Sequence, residues 1–240
     1  MCGRTTHDLS WPELHALFGV IGSAEDGTAG PPPNDFRSSW NIAPTTRNPI
    51  CRLNRDGARE IAILRWGLVP SWAKDLKIGA QCINAVGETV AGKPAFRAAF
   101  KSRRCLVPAR LFYEWQKTAD PKVKKPYAIG LRSGQPMVFA GLWEWWKDPT
   151  GGEEYQTYAI VTTTPNDLMA KLHNRMPVIL APEDWPAWLG EVETTPEQRQ
   201  ALLRPYAADQ MTAWPVDVRV GNVRNNDADL VVPIGEPLAA

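Results

Sequence analysis

Proline and glycine are spread along the whole chain, and this feature limits its possible folds more than any other. The 240 residues include 22 prolines and 18 glycines. Both residues interrupt regular elements, glycine by its backbone freedom and proline by its ring and missing N–H. We therefore expect many short elements and no long helix. A chain of this length can bury a substantial core as one large domain or two small ones.

Hydrophobic patterning favours strands. Apolar and β-branched runs bounded by turn residues predict strands at 60–65, 104–107, 126–131, 137–143, 155–163 and 177–181. Ser10 and Glu13 form a capping box, which predicts a helix that ends near Gly19. Three further helices are predicted: over 95–102, from Thr164-Pro165 with proline at the first helical position, and from Thr195 to about residue 208.

The order of these elements predicts an α+β fold. The sequence has no repeat, no strand–helix alternation typical of a parallel sheet and no clear linker, so we expect residues 1–240 to form a single domain. Its core should be a mainly antiparallel, twisted and barrel-like β-sheet with short flanking helices. Residues 22–35 are rich in Gly, Pro and small polar side chains, which is typical of a mobile loop.

Net charge and cysteine content indicate which partners and which cellular compartment to expect. The formal net charge is only +1, so any surface that binds nucleic acid must be local. The four cysteines, Cys2, Cys51, Cys82 and Cys105, have no C-x-x-C spacing, which argues against a metal site or a disulfide framework and for a reducing compartment. No signal peptide is evident, and no apolar run approaches the ~20 residues of a membrane helix. We expect a soluble, cytoplasmic protein that binds no membrane.

Cys2 has the most distinctive chemistry. Once Met1 is removed, Cys2 carries an α-amine and a thiol on adjacent carbons. The amine can condense with an aldehyde to a Schiff base, and the thiol can close on the same carbon to form a thiazolidine ring. Unperturbed α-amines titrate near about 7.7–8.0 and thiols near about 8.5, so reactive fractions of both exist at neutral pH. A cysteine that merely follows the start codon is the alternative.

Asn84, Glu114 and His173 could support such a nucleophile. His173 lies between a short helix and an apolar strand, where catalytic side chains are often mounted, although a structural histidine at a helix end fits as well. In a strand, Glu114 shares a face with Phe112, and aromatic neighbours disfavour its charged form, which suits a group that gives and takes protons. A water-exposed glutamate is the alternative. Asn84 could orient a terminal amine or simply form a turn.

Other residues could form a nucleic-acid surface. Trp66 and Trp72 flank a turn with Gly and Pro, where exposed indoles could stack on bases at roughly 1–3 kcal/mol per base, and core packing is the alternative. A basic cluster, which is either a solvated face or a phosphate contact, comprises Lys93, Arg97, Lys101, Arg103 and Arg104. For the remaining histidines, His7 and His15, we expect a surface or helix-face role.

Taken together, these segments resemble the SOS response-associated peptidase (SRAP) family of abasic-site processing proteins. They occur in the family's order and span nearly the whole chain. The matching segments are Met1-Cys2-Gly3-Arg4, Trp40-Asn41-Ile42-Ala43-Pro44-Thr45, Trp66-Gly67-Leu68-Val69-Pro70-Ser71-Trp72, Asn84-Ala85 to Glu88-Thr89, Lys93-Pro94-Ala95-Phe96-Arg97, Arg104-Cys105-Leu106-Val107-Pro108, Phe112-Tyr113-Glu114-Trp115, His173-Asn174-Arg175-Met176-Pro177-Val178-Ile179-Leu180 and Gly221-Asn222-Val223.

The resemblance implies twisted β-sheets around a positively charged cleft with Cys2 at its floor. The implied substrate is single-stranded DNA with an abasic site, whose aldehyde Cys2 would trap as a thiazolidine crosslink. Glu114 would shuttle protons during sugar ring opening and closure, His173 would assist at the Schiff base, and Asn84 would position the terminal amine. The residues implied to line the DNA path are Arg4, Trp66, Trp72, Thr163 and Arg175, to which the basic cluster adds Lys93 and Arg97.

The resemblance also implies removal of Met1 by the protein itself and a β-elimination lyase activity. No cofactor or metal is implied. We expect a monomer whose partners are DNA and the replication machinery.

Two positions depart from the family pattern. Val86 stands where the family has an arginine that clamps DNA phosphate, and Arg110-Leu111 replace the family's Asp-Gly. Loss of one phosphate contact should flatten the salt dependence of binding by about one unit of slope. The charge could be relocated to Arg110, or to a candidate among Lys93, Arg97 and Arg175, or the substrate could differ.

Two other functions compete with abasic-site crosslinking. The first is an N-terminal cysteine hydrolase, in which the free amine acts as the base for the thiolate of Cys2 on a peptide or amide in trans. The second is a binder of single-stranded or modified DNA that uses tryptophans and arginines without covalent chemistry. From the residues alone, the hydrolase and the crosslinking protein are nearly equal alternatives.

Overall fold

The computed structural model describes residues 2–20, 31–120 and 124–238. Its helices are short, and the longest α-helix has eight residues, as the content of Pro and Gly predicts. No helix in this described part of the chain is long and apolar enough to cross a membrane. The α-helices are α1 (Trp11–Phe18), α2 (Arg97–Ser102), α3 (Asp167–Ala170), α4 (Trp185–Leu189) and α5 (Pro196–Ala201).

Strands form most of the regular structure. The described residues contain β1 (Thr5–His7), β2 (Ser39–Ile42), β3 (Arg47–Leu53), β4 (Arg59–Trp66), β5 (Asn84–Val86), β6 (Arg104–Ala109), β7 (Phe112–Lys117), β8 (Lys124–Leu131), β9 (Met137–Lys147), β10 (Glu154–Thr163), β11 (Met176–Pro177) and β12 (Met211–Pro215).

The strands form two sheets. The first is antiparallel, with the order β12-β8-β7-β1-β2. The second runs β10-β4-β3-β6-β9, and β9 pairs again with β10, so these five strands close into a small barrel. Only β4 and β5 pair in parallel with β10; the other pairs are antiparallel. The predicted α+β fold with a mainly antiparallel, barrel-like core is therefore confirmed.

Side chains alternate between two cores because neighbouring residues of a strand face opposite sides. In β6, Cys105 and Val107 face the first sheet, and Leu106 faces the helices α1 and α4. The first of these cores also contains Cys2, so the second residue of the chain is packed between the barrel and the five-stranded sheet. All four cysteines are buried free thiols.

Elements whose signals lie within a few neighbouring residues were predicted well from the sequence. The helix after Ser10 has the capping box in both directions and ends at Gly19, which adopts a left-handed conformation. The strands predicted between residues 60 and 163 are all present, with bounds that differ by a few residues. The predicted mobile loop 22–35 lies mainly outside the described residues, and 31–35 contain neither helix nor strand.

Three predicted elements need correction. The helix expected at Pro165 begins instead at Asp167, because the side chain of Asn166 accepts a hydrogen bond from the Met169 amide and caps it. The helix expected to reach residue 208 ends at Ala201, since Pro205 cannot donate to the carbonyl of residue 201. The strand expected at 177–181 is regular only over Met176–Pro177.

Candidate active site

The first residues of the chain are fixed inside the five-stranded sheet. β1 lies between β2 and β7, and the carbonyl of Arg4 accepts a hydrogen bond of 2.9 Å from the amide of Tyr113 in β7. Thr5 stands opposite Phe112 in the same pair of strands. This pairing anchors Cys2, which has no exposed surface.

Asn84 holds the backbone of Cys2. Its Nδ2 donates a hydrogen bond of 2.8 Å to the Cys2 carbonyl oxygen. Asn84 begins β5, where it stands opposite Ile160 in the parallel pairing with β10. Because β10 belongs to the barrel, this amide links the backbone of Cys2 to the barrel. Asn84 lies at the end of a strand, as expected, and its role in positioning the terminal amine stays a prediction.

Glu114 is a buried carboxyl group on the side of β7 that faces Cys2. Its neighbour Tyr113 belongs to a different cluster and donates a hydrogen bond of 2.8 Å from Oη to the carbonyl of Trp40. Glu114 retains only 4% exposure. Its charge acts on the ionisation of both Cys2 and His173, so one carboxylate serves both groups.

His173 follows α3 and is partly buried. Its amide donates to the carbonyl of Met169 at 2.8 Å, and its Nδ1 accepts a hydrogen bond of 3.0 Å from the amide of Arg175. Burial lowers the pKa of His173, and the Glu114 carboxylate opposes that effect in part. An Nδ1 that accepts a hydrogen bond assigns the proton of the neutral ring to Nε2. His173 is therefore a neutral hydrogen-bond donor at neutral pH.

Burial raises the pKa of the Cys2 thiol far above its ordinary value, and the charge of Glu114 raises it further. The charge of the terminal amine and a hydrogen bond from the backbone of Arg4 act in the opposite direction but are weaker. The resting thiol is thus protonated, with a carboxylate and a neutral imidazole near it. Such a group suits chemistry that removes the thiol proton late, rather than chemistry that begins with a stable thiolate.

Two of the predicted DNA-contacting residues are part of the core, and these predictions are corrected. Trp66 has no exposed surface; its ring stacks on Tyr158 at a centroid distance of 6.2 Å, and Nε1 donates to the carbonyl of Ile83. Thr163 is also buried, and its hydroxyl donates to the carbonyl of Leu203 at 3.0 Å. Neither side chain presents a surface on which DNA could lie.

Arg4 and Arg175 lie near the site but are engaged with the protein. Arg4 donates to Asn41 Oδ1 at 2.6 Å and to the carbonyl of Val220 at 2.8 Å, which ties the N-terminal segment to the C-terminal one. Arg175 forms a two-pronged ion pair with Glu88, with both contacts at 2.8 Å. Sequence reasoning missed the role of Glu88, whose only signal was its place in a matching segment.

The remaining predicted DNA-contacting residues are exposed. Trp72 is 59% exposed, and its Nε1 reaches the carbonyl of Pro94 at 3.5 Å. Lys93 and Arg97 also lie on the surface. Val86, at the end of β5, is 37% exposed and is apolar where the family pattern carries a positive charge.

Several other charged or titratable residues differ from their sequence-based interpretation. Arg103 forms an ion pair with Glu144 at 2.6 Å, and Arg104 is buried, so neither extends the basic surface. Arg110 pairs with Asp8 at 3.1 Å, which makes it a poor substitute for a phosphate clamp. His7 lies in β1 and is fully buried rather than on a helix face.

No group of three His, Cys, Asp or Glu side chains that could hold a metal ion occurs within residues 2–20, 31–120 and 124–238.

Comparisons with known proteins place this geometry in context. The family model described as SOS response associated peptidase (SRAP) matches residues 1–223. Abasic site processing protein YoqW of Bacillus subtilis strain 168 is 42% identical over 231 residues, covering 96% of this chain and 99% of the relative. Abasic site processing protein HMCES of Gallus gallus is 30% identical over 268 residues, covering 98% and 78%. A crystal structure of a protein from Bacteroides thetaiotaomicron superposes with a TM-score of 0.81 at 25% identity, covering 97% and 99%.

Proposed function

Because the chain belongs to the SOS response-associated peptidase (SRAP) family, we propose that it processes abasic sites in single-stranded DNA by covalent capture at Cys2. The observation that supports this proposal is the pair of contacts around Cys2, one from an amide to its backbone and one from a buried carboxyl group to its thiol. Asn84 holds its carbonyl at 2.8 Å, and the charge of Glu114 acts on both the thiol and His173.

The reaction begins at nitrogen. After removal of Met1, the free amine of Cys2 adds to the aldehyde of the open abasic sugar, and loss of water gives a protonated Schiff base. The thiol then adds to the same carbon, its proton leaves, and the thiazolidine ring closes. The net change is the loss of one water molecule. A protonated resting thiol fits this order because sulfur reacts only in the second step.

Glu114 and His173 divide the proton transfers. The carboxylate of Glu114 takes the thiol proton as sulfur adds, and it moves protons when the sugar ring opens or closes. Neutral His173, with its proton on Nε2, donates a hydrogen bond to the aldehyde oxygen and helps it leave as water. Asn84 fixes the backbone of Cys2, so that the amine and the thiol stay on the same side of the reacting carbon.

The competing hydrolase function requires a thiol with a lowered pKa. Hydrolysis of a peptide in trans starts with attack by a thiolate, which requires a lowered pKa. Burial and Glu114 instead raise the pKa of Cys2. This favours capture of an aldehyde over turnover of amides. Removal of Met1 is a single cleavage within the chain's own site and does not need repeated turnover. β-Elimination from the Schiff base is a second outcome of the same intermediate.

DNA would approach over an exposed surface near the site, not over buried Trp66. Trp72 offers a face for base stacking, and Lys93 and Arg97 supply charges for phosphates. Val86 provides no charge at the position where the family pattern has a clamp. We therefore expect weaker electrostatic binding with the covalent chemistry retained.

The test combines intact mass with capture of an abasic oligonucleotide. The mature protein should lack one methionine and should gain the mass of a uracil-excised single strand, minus one water, on mixing. Cys2→Ala should abolish the stable adduct, and Cys2→Ser should leave at most a weak Schiff-base product. An oligonucleotide with intact uracil is the matched substrate control. An undiminished adduct in Cys2→Ala, or full activity of a chain that retains Met1, would refute the proposal.

A further inference from the structure

Arg104 is a buried cation that lines a cavity. Its side chain begins in β6 and is only 7% exposed. Nε donates to the carbonyl of Trp188, and Nη1 donates to the carbonyls of Phe100 and Lys101. These bonds use every N–H of the guanidinium except the two on Nη2, for which no protein acceptor occurs among the described residues.

Gly190 keeps the space beside this nitrogen open. It ends α4 in a left-handed conformation with φ of 95°. A Cβ at this position would lie 2.8 Å from Nη2 of Arg104, in van der Waals conflict with it. The positive φ therefore favours glycine, whose missing Cβ leaves room for the guanidinium, and Arg104 and Gly190 both line a cavity at this place.

A second arginine faces the same cavity. Arg199 in α5 donates from Nη1 to the carbonyl of Thr194 at 2.7 Å and to its hydroxyl at 3.2 Å. Its Nε is buried and has no partner in the described chain. The charge of Arg199 adds to burial in lowering the pKa of Arg104 to about 10, so the two cations are close enough to repel each other.

The cavity lacks a carboxylate that neutralises this pair. Its volume is about 540 Å³, and its lining includes Gln198, Glu193 and two threonines. Among the described residues, neither arginine lies within ion-pair distance of an Asp or Glu, Glu193 included. Two neighbouring cations, one of them buried, are costly unless an anion accompanies them.

We propose that this cavity, between Arg104 in β6 and Arg199 in α5, is a binding site for a phosphate group. Planar guanidinium groups match the oxygens of phosphate with paired hydrogen bonds. None of the cavity-lining residues belongs to the site around Cys2. The phosphate is either a free ion or a group on the DNA backbone. The DNA source rests on the proposed function, whereas binding of free phosphate does not.

The helix α5 is attached to the segment that borders the candidate active site. Gln200, next to Arg199, donates a hydrogen bond of 2.8 Å to the carbonyl of Gly87. Gly87 directly follows the exposed Val86 at the end of β5. The helix that carries Arg199 is thus attached to the same segment that borders the candidate active site.

The first test is a titration of the full-length protein with inorganic phosphate, with sodium chloride adjusted to hold the ionic strength constant. The melting temperature of the wild type should rise and then saturate, because a ligand that binds only the folded state stabilises it. Arg199→Gln should weaken the apparent affinity about tenfold, which is the loss expected for one charged hydrogen bond. Glu193→Gln should strengthen it, since a repelling carboxylate is removed.

The matched control is Arg204→Gln, which removes the same charge from an arginine that pairs with Asp184 outside the cavity. Each variant is compared with its own melting temperature in chloride alone, so differences in basal stability cancel. Arg204→Gln should respond to phosphate as the wild type does.

A second measurement identifies the source of the phosphate. The salt dependence of binding to single-stranded DNA without an abasic site is measured for Arg199→Gln and Arg204→Gln. If the slope of the salt dependence falls by about one unit in Arg199→Gln only, the site binds a phosphate of the DNA backbone. If the slope is unchanged but phosphate no longer raises the melting temperature of Arg199→Gln, the site binds a free phosphate ion. Equal behaviour of the two variants in both measurements overturns the site, whatever the outcome of the crosslinking assay.

Discussion

Acid should destabilise the protein through His7. This residue lies in β1 and is 1% exposed, and its ring packs edge-on against Phe36 at a centroid distance of 5.3 Å. Neither ring nitrogen has a hydrogen-bond partner within the described residues. A charged imidazole would therefore lose its hydration without a hydrogen bond in return, and burial, opposed only in part by the charge of Asp8, lowers the pKa of His7 from 6.5 to about 4.

The direction of the change in stability follows from proton binding by His7 in the folded and the unfolded chain. Between pH 6.5 and about 4, the unfolded chain protonates His7 and the folded chain does not, so the free energy of unfolding falls as the pH falls. The contribution is fully present above pH 6.5 and is lost progressively below it. One unit of pKa difference is worth about 1.36 kcal/mol, so His7 contributes about 3 kcal/mol to the free energy of unfolding well above pH 6.5. Roughly 2 kcal/mol of this contribution is lost between pH 7 and pH 5.

Urea unfolding of the wild type and His7→Phe at several pH values measures this effect. Both proteins share the same carboxylates, so the difference between their stability curves isolates His7. The difference should shift by roughly 2 kcal/mol in favour of His7→Phe between pH 7 and pH 5. Parallel curves would refute the reasoning, as would an imidazole resonance, lost in His7→Phe, that titrates near 6.5 in the folded protein.

Three substitutions near the candidate active site give further expected results. Asn84→Ala leaves the buried carbonyl of Cys2 without its donor, which costs about 1–3 kcal/mol, and single-turnover crosslinking should slow by about ten- to a hundredfold; a rate within twofold of the wild type in a folded variant contradicts this role. Val86→Arg should steepen the salt dependence of DNA binding by about one unit, measured by fluorescence anisotropy, and no change would place DNA elsewhere. Glu88→Gln removes the charge that neutralises Arg175 and should strengthen DNA binding at low salt; weaker binding would mean that the ion pair itself shapes the site.

Elements with local signals could be predicted from the sequence. The capping box at Ser10 defines α1 because its donors and acceptors lie within four residues. The apolar runs that predict β8, β9 and β10 are also local signals. Closure of the barrel could not be predicted in this way, because it depends on the parallel pairing of Thr157 in β10 with Arg65 in β4. No local pattern encodes this contact between distant segments.

The reactive residues of the candidate site could be predicted from the sequence, but the burial of the residues around them could not. Cys2 stands out by its place in the chain, and Glu114 by its place among aromatic residues. The burial of Trp66 depends on Tyr158, which approaches from another strand, so a pattern of Trp, Gly and Pro could not distinguish a core indole from a stacking surface. The isolation of His7 depends in the same way on Phe36 and on the turn that carries it.

The place of β1 between β2 and β7 sets an order of events during synthesis. The strand ends at His7, but its second neighbour is complete only at Lys117, 110 residues later (117 minus 7). Ribosomes add about 5–20 residues per second, so the segment that holds Cys2 waits roughly 6–22 seconds outside its sheet. Removal of Met1 by the protein's own site can follow only after the sheet has enclosed this cysteine.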